Sequence, residues 1–173
     1  MRSVLGAEEI ARALRRLTGE IAERTKGARS VTLVGIRRGG VPLAERIRRM
    51  LKESEGLDVP LGAIDITLYR DDAATALPNP RIGRSELPLS LEGHTVILVD
   101  DVLFTGRTIR AAIDALLDYG RPAAIQLAVL IDRGHRELPI QADYVGRQVA
   151  TQRAEMVDVL LDREGAPDEV VIR

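Results

Sequence analysis

Apolar residues recur along this chain with two periods, and the alternation between them predicts an α/β fold. Over 7–26, Ile10, Leu14, Leu17 and Ile21 keep helical spacing, and Arg12, Arg15, Arg16 and Arg24 fall largely off that stripe. The segment reads as one amphipathic helix stopped by Gly27. Residues 31–36 form an apolar run that reads as the first buried strand, and a helix over 41 to about 53 follows. Residues 61–68 alternate, with Ile64, Ile66 and Leu68 on one side of a strand. Residues 95–99 are apolar and β-branched, as a central parallel strand covered on both faces requires. A helical pattern opens at 105–108 and runs to about Tyr119, where Gly120 and Pro122 end it. Another buried strand spans 124–131, and 142–145, 157–161 and 169–172 read as short strands. Such alternation implies a central, mostly parallel sheet flanked by helices. Over about 69–90 the periodicity fades around Pro78, Pro80 and Pro88. A stretch of that length inside a compact domain points to a lid, an arm or disorder.

A length of 173 residues fits one domain spanning 1–173. No cysteine is present, which excludes disulfides and thiolate zinc sites. The N-terminus lacks the apolar core of a signal peptide, and no apolar run reaches the roughly 20 residues of a membrane span, so a cytoplasmic location without a membrane partner is expected. Only Lys26 and Lys52 among the 25 basic residues are lysines. The net charge of −1 hides an imbalance. Residues 1–50 hold 12 basic against 5 acidic groups, and the rest of the chain 13 against 21. The basic N-terminal part suits a phosphate-bearing partner, or a solvated helix face laced with ion pairs.

Candidate chemistry concentrates in TVILVDDVLFTGRT, residues 95–108. The apolar run leads to Asp100 and Asp101 at the expected strand end, and Thr105, Gly106, Arg107 and Thr108 open the next helix. In open α/β sheets ligands bind beyond the carboxyl ends of strands, where helix N-termini favour anions. Two carboxylates beside such amides suit a sugar phosphate; alone, they could also cap the helix. Arg37, Arg38, Gly39 and Gly40 follow the 31–36 strand in the same way, as an anion-binding turn or an ordinary strand–helix connection.

The string of apolar strand, Asp-Asp, apolar pair and Thr-Gly-Arg-Thr resembles the phosphoribosyl-diphosphate (PRPP) motif of type I phosphoribosyltransferases. That resemblance implies that Asp100 and Asp101 contact the ribose hydroxyls and that 105–108 holds the 5′-phosphate. Val99, Val102, Leu103 and Phe104 complete the expected PRPP/UMP-binding stretch. It also makes 37–40 a pyrophosphate loop. The stretches DITLYRDD (65–72), GRPAAIQLAVLIDRGHRELPI (120–140) and ADYVG (142–146) extend the likeness over almost the whole chain, and together they resemble the PyrR family of pyrimidine-operon regulators and uracil phosphoribosyltransferases.

The family likeness implies the type I phosphoribosyltransferase fold, with a small hood from about 132–146 and the C-terminal strands and a flexible arm at about 69–90. It implies Mg2+-dependent conversion of uracil and PRPP to UMP and diphosphate, the metal held indirectly by Asp100 and Asp101 with PRPP. Asp65, Tyr69 and Arg81 belong to the expected arm, Arg70 joins the aspartates as catalytic, and Asp132 and Arg133 face the uracil. His135 lies in a charged loop and is expected to be structural or solvent-facing. The same likeness implies binding of the pyrimidine-operon mRNA leader, stimulated by UMP or UTP, through Arg15, Arg16, Arg24, Lys26 and Arg147. Gly19 and Gln141 depart from basic positions of the family. A homodimer or higher homo-oligomer is implied, and DNA is not an expected partner. The alternative is a phosphoribosyltransferase for a purine or orotate, without RNA regulation.

Overall fold

The computed structural model describes residues 1–25, 30–67, 87 and 90–173. Lys26, Tyr69, Arg70 and Arg81, and with them most of the expected arm, lie outside the described residues. Among the described residues the elements are β1 (Arg2–Leu5), α1 (Ala7–Thr25), β2 (Val31–Ile36), α2 (Gly40–Glu55), β3 (Leu61–Ile64), β4 (Thr95–Leu103), α3 (Arg107–Leu117), β5 (Ala124–Asp132), β6 (Tyr144–Gln148), β7 (Val157–Leu160) and β8 (Glu169–Ile172). Five strands pair in the order β3-β2-β4-β5-β6, all parallel. A second, antiparallel sheet has the order β1-β8-β7.

Two apolar cores sandwich the main sheet. On one face Leu14, Leu17 and Ile21 of α1 and Leu43, Ile47 and Leu51 of α2 pack with Leu33, Ile97 and Leu130. On the other, Ile109, Ala112 and Leu116 of α3 cover Val34, Leu98 and Val129. Ala111, Ala112 and Ala115 are fully buried, and such small side chains let α3 lie close to the strands. Gly56 ends α2 with φ 67°, its N–H donating to the Lys52 carbonyl.

Several boundaries differ from the sequence reading. Asp100 and Asp101 lie inside β4, because pairing with β5 continues through Val102↔Ile131 and Leu103↔Asp132. β3 stops at Ile64, opposite the end of its single neighbour at Ile36, and Ile66 lies beyond it. β1 was absent from the pattern: four residues carry little periodicity, and their hydrogen bonds come from β8 at the other end of the chain. The expected hood over 132–146 divides, since Tyr144 to Gly146 belong to β6 of the main sheet, with Tyr144 fully buried. Arg46 of α2 anchors the C-terminal segment through a bidentate contact to Asp168 (2.6 and 3.1 Å) and a bond to Asp162.

Candidate active site at the carboxyl edge of the sheet

The 37–40 turn reaches β4 because glycines remove the atoms that would hold it away. A Cβ on Gly39 would stand 2.3 Å from Asp101 Oδ2, and one on Gly40 2.0 Å from the Val99 carbonyl oxygen. The turn therefore lies directly on the acidic pair, and its Arg37–Arg38 peptide is cis. Two helices begin beside it, α2 after Gly39 and α3 after Gly106, and neither has a side-chain cap. Both leave first-turn amides for an anion. Gly106 takes φ 93°, a conformation that favours glycine.

The two aspartates differ in environment. Asp100 is 6% exposed, and its Oδ1 accepts the Asp101 N–H at 2.9 Å. Burial first, and the Asp101 charge second, push Asp100 well above the usual carboxylate range. Asp101 is half-buried, accepts the Val102 N–H at 2.8 Å and faces the 37–40 turn. Asp65, just past β3, accepts two hydrogen bonds from Thr67. Burial raises its pKa, but those bonds and the Arg37 and Arg38 charges outweigh this and hold it low. Thus Asp65, Arg37, Arg38, Gly39, Gly40, Asp100, Asp101 and the 104–108 loop share one edge. Among the described residues no group of three or more acidic or histidine side chains could cage a metal ion.

The 104–108 loop is fixed by the segment after β5. Arg136 donates to the Phe104 carbonyl (2.7 Å), the Ile140 carbonyl (2.8 Å) and Asp132 (2.7 Å). The Thr105 carbonyl accepts the N–H groups of Glu137 and Leu138, and Glu137 pairs with Arg107 and Arg153. The Arg133 guanidinium lies 3.9 Å from the Phe104 ring centre and donates to the Gln152 carbonyl. The guanidinium thus joins two loops. His135 takes a structural place, with Nε2 2.7 Å from the Thr151 carbonyl and its ring edge-on to Phe104.

A cavity of about 510 Å³ opens at the ends of β5 and β6, lined by Asp132, Arg133, Gly134, Arg136, Gln148, Val149 and Ala150. That volume suits a small ligand. Sequence reasoning missed Arg136 and 148–150. Arg136 sat inside a quoted motif with no sign of its partners, whereas Gln148, Val149 and Ala150 carry no local signal.

The described residues of the expected RNA set lie on α1 and β6, which pack together. Arg16 donates to the Val145 and Gly146 carbonyls, Arg24 stacks on Tyr144 and pairs with Asp143, and Arg147 pairs with Glu9 at 3.9 Å. Arg15 is exposed on the same helix. No helix among the described residues is long and apolar enough to cross a membrane.

Comparisons with known proteins bear on the family and the fold. A family model described as "Phosphoribosyl transferase domain" matches residues 2–159. A protein named "Bifunctional protein PyrR" from Chloroflexus aurantiacus is 58% identical over 171 residues, covering 99% of this chain and 94% of that protein. One of the same name from Geobacter sulfurreducens is 56% identical over 169 residues, covering 98% and 96%. A solved hypoxanthine phosphoribosyltransferase of Trypanosoma cruzi superposes with a TM-score of 0.74 at 21% identity, covering 99% of this chain and 95% of that one, which speaks to the fold.

Proposed function

The chain belongs to the phosphoribosyl transferase domain family, and from that premise we propose two activities for it: conversion of uracil and PRPP to UMP and diphosphate, and uridine-nucleotide-dependent binding of a pyrimidine-operon mRNA leader that attenuates expression. The observation that carries the first is the contact of Gly39 and Gly40 with β4, which brings two anion-binding turns to one pair of carboxylates.

In this reading Thr105, Gly106, Arg107 and Thr108 hold the 5′-phosphate with backbone amides and hydroxyls. Asp100 and Asp101 hold the ribose hydroxyls. Burial and the neighbouring Asp101 charge raise the Asp100 pKa. Arg37 and Arg38 take the diphosphate as the C1–O bond breaks. Uracil N1 forms the new bond to C1 and loses its proton. Asp101 stabilises the positive charge developing at C1. Asp132 and the backbone around Arg133 position the base at the β5–β6 cavity. Tyr69, Arg70 and Arg81 supply the arm.

The pair Asp100 and Asp101 would fit Mg2+, which binds through one or two carboxylates together with substrate phosphates and water. When bound, the ion neutralises charge on the departing diphosphate.

Arg15, Arg16, Arg24, Lys26 and Arg147 form the RNA face in a homodimer or higher homo-oligomer. The α1 charges contact phosphates, and specific hydrogen bonds read a folded hairpin or bulge.

The test is Asp101→Asn. UMP formation falls strongly, while RNA affinity at saturating UMP is retained. Turnover of hypoxanthine, guanine or orotate in place of uracil overturns the base assignment. A gel shift on the source organism's pyrimidine leader, with and without UMP, tests the second activity.

A further inference from the structure

Cations on this fold divide by whether the protein already satisfies them. Arg16, Arg24, Arg136, Arg147 and Arg153 are engaged by carboxylates, carbonyls or rings. Arg48, Arg49 and Lys52 make no side-chain hydrogen bond or ion pair with the described residues, and their exposed side chains stand on α2. Their positions, with Glu45, follow the i, i+3, i+4, i+7 spacing of a single helix stripe opposite the buried Leu43, Ala44, Ile47 and Leu51. Glu45 has the spacing to pair with Arg48 or Arg49, yet forms no ion pair with either.

The stripe lines a groove of about 380 Å³ closed on its other side by Leu61, the first residue of the edge strand β3. The groove lies on the same face of the sheet as α1, which α2 contacts where the Thr18 hydroxyl meets Met50 Sδ at 3.9 Å, but at the β3 edge, with β2, β4 and β5 between it and the β6 edge that holds the α1 arginines. Holding three cations close together with one carboxylate, Glu45, among them leaves a net repulsion that a polyanion in the groove would relieve.

We infer that the α2 groove is a second phosphate-contact site for the RNA, engaging its backbone through Arg48, Arg49 and Lys52 at the β3 edge of the sheet, while the α1 arginines engage it at the β6 edge. The inference rests on the RNA-binding reading above and adds residues that this reading did not include. Such contacts position RNA without reading its sequence, so their signature is salt dependence. Each phosphate contact contributes about 0.7–0.9 to the log–log slope of affinity against salt. Three contacts therefore add about 20- to 40-fold to the loss of affinity between 50 and 200 mM salt.

The experiment titrates the full chain, saturated with UMP, against the source organism's pyrimidine leader RNA across that salt range. The triple variant R48Q/R49Q/K52Q is expected to bind more weakly at 50 mM, with the salt slope shallower by about 2 to 3. Its UMP formation stays at the wild-type rate, which reports an intact fold. E45Q removes the one carboxylate lining the groove and is expected to tighten binding at low salt, giving a test of opposite sign. Wild-type RNA binding with an unchanged slope in the triple variant overturns the α2 site and leaves the RNA-binding reading standing. No RNA binding by the wild type at any salt overturns both.

Discussion

Gly39→Ala separates the geometry of the proposed active site from the stability of the fold. Gly39 has φ −60° and ψ −29°, a backbone that alanine adopts freely. The added Cβ would meet Asp101 Oδ2 at 2.3 Å, against 3.4 Å or more for ordinary contact. That atom ends a side chain, so the carboxylate gives way by about 1 Å and the fold survives. A displacement of that size at a reacting centre costs about 100-fold in rate, or about 2.7 kcal/mol of transition-state stabilisation. Gly40→Ala is the contrast. Its Cβ would stand 2.0 Å from the Val99 carbonyl oxygen and 2.9 Å from the carbonyl carbon, both main chain in the middle of the sheet. Relief requires α2 to move off β4, at a cost of about 1–3 kcal/mol or more. The assay is kcat/KM for UMP formation beside the thermal midpoint of each variant. Gly39→Ala is expected to lose activity with a midpoint close to wild type, and Gly40→Ala to lose both. Wild-type kcat/KM in Gly39→Ala would refute the claim that the turn sets the Asp101 carboxylate.

Arg136→Lys replaces a planar fork with one ammonium that cannot serve the Phe104, Ile140 and Asp132 acceptors together. UMP formation is expected to fall about 10- to 100-fold with KM raised for both substrates, because the loop and the base cavity share this residue; a change in one KM alone would contradict that coupling. Asp100→Asn addresses pH. The folded pKa of Asp100 is raised, so the wild type carries no penalty below the unfolded value near 4 and loses stability as pH rises through the folded value. The amide has no charge to bury, so in the ligand-free protein its midpoint advantage over wild type is expected to grow from pH 4 to pH 8; an advantage constant with pH would show that Asp100 is not shifted.

The parts of the fold legible in the sequence are those whose cause is local. The apolar run before Asp100 and the glycines of 35–40 each announce a structure that their own neighbours enforce. The 169–172 strand was legible to the residue, since its apolar run is bounded by charge on both sides. What stayed hidden depends on partners far along the chain. β1 exists because β8 offers it hydrogen bonds, and β4 outruns its apolar segment because β5 continues beside it. The site divides the same way. The carboxylates and both phosphate turns could be named from motifs, but Asp100 and Asp101 look identical in sequence, and burial makes them unlike. Arg136 and Arg133 look like two charges of one polar loop. In the fold one ties the Phe104 loop, Ile140 and the end of β5 together, and the other is stacked on Phe104. Charge is visible in a sequence, whereas its satisfaction is not. The α1 arginines expected to be open to RNA are in part held by β6 and the residue before it, while α2, read only as a helix, presents cations that no described residue pairs with.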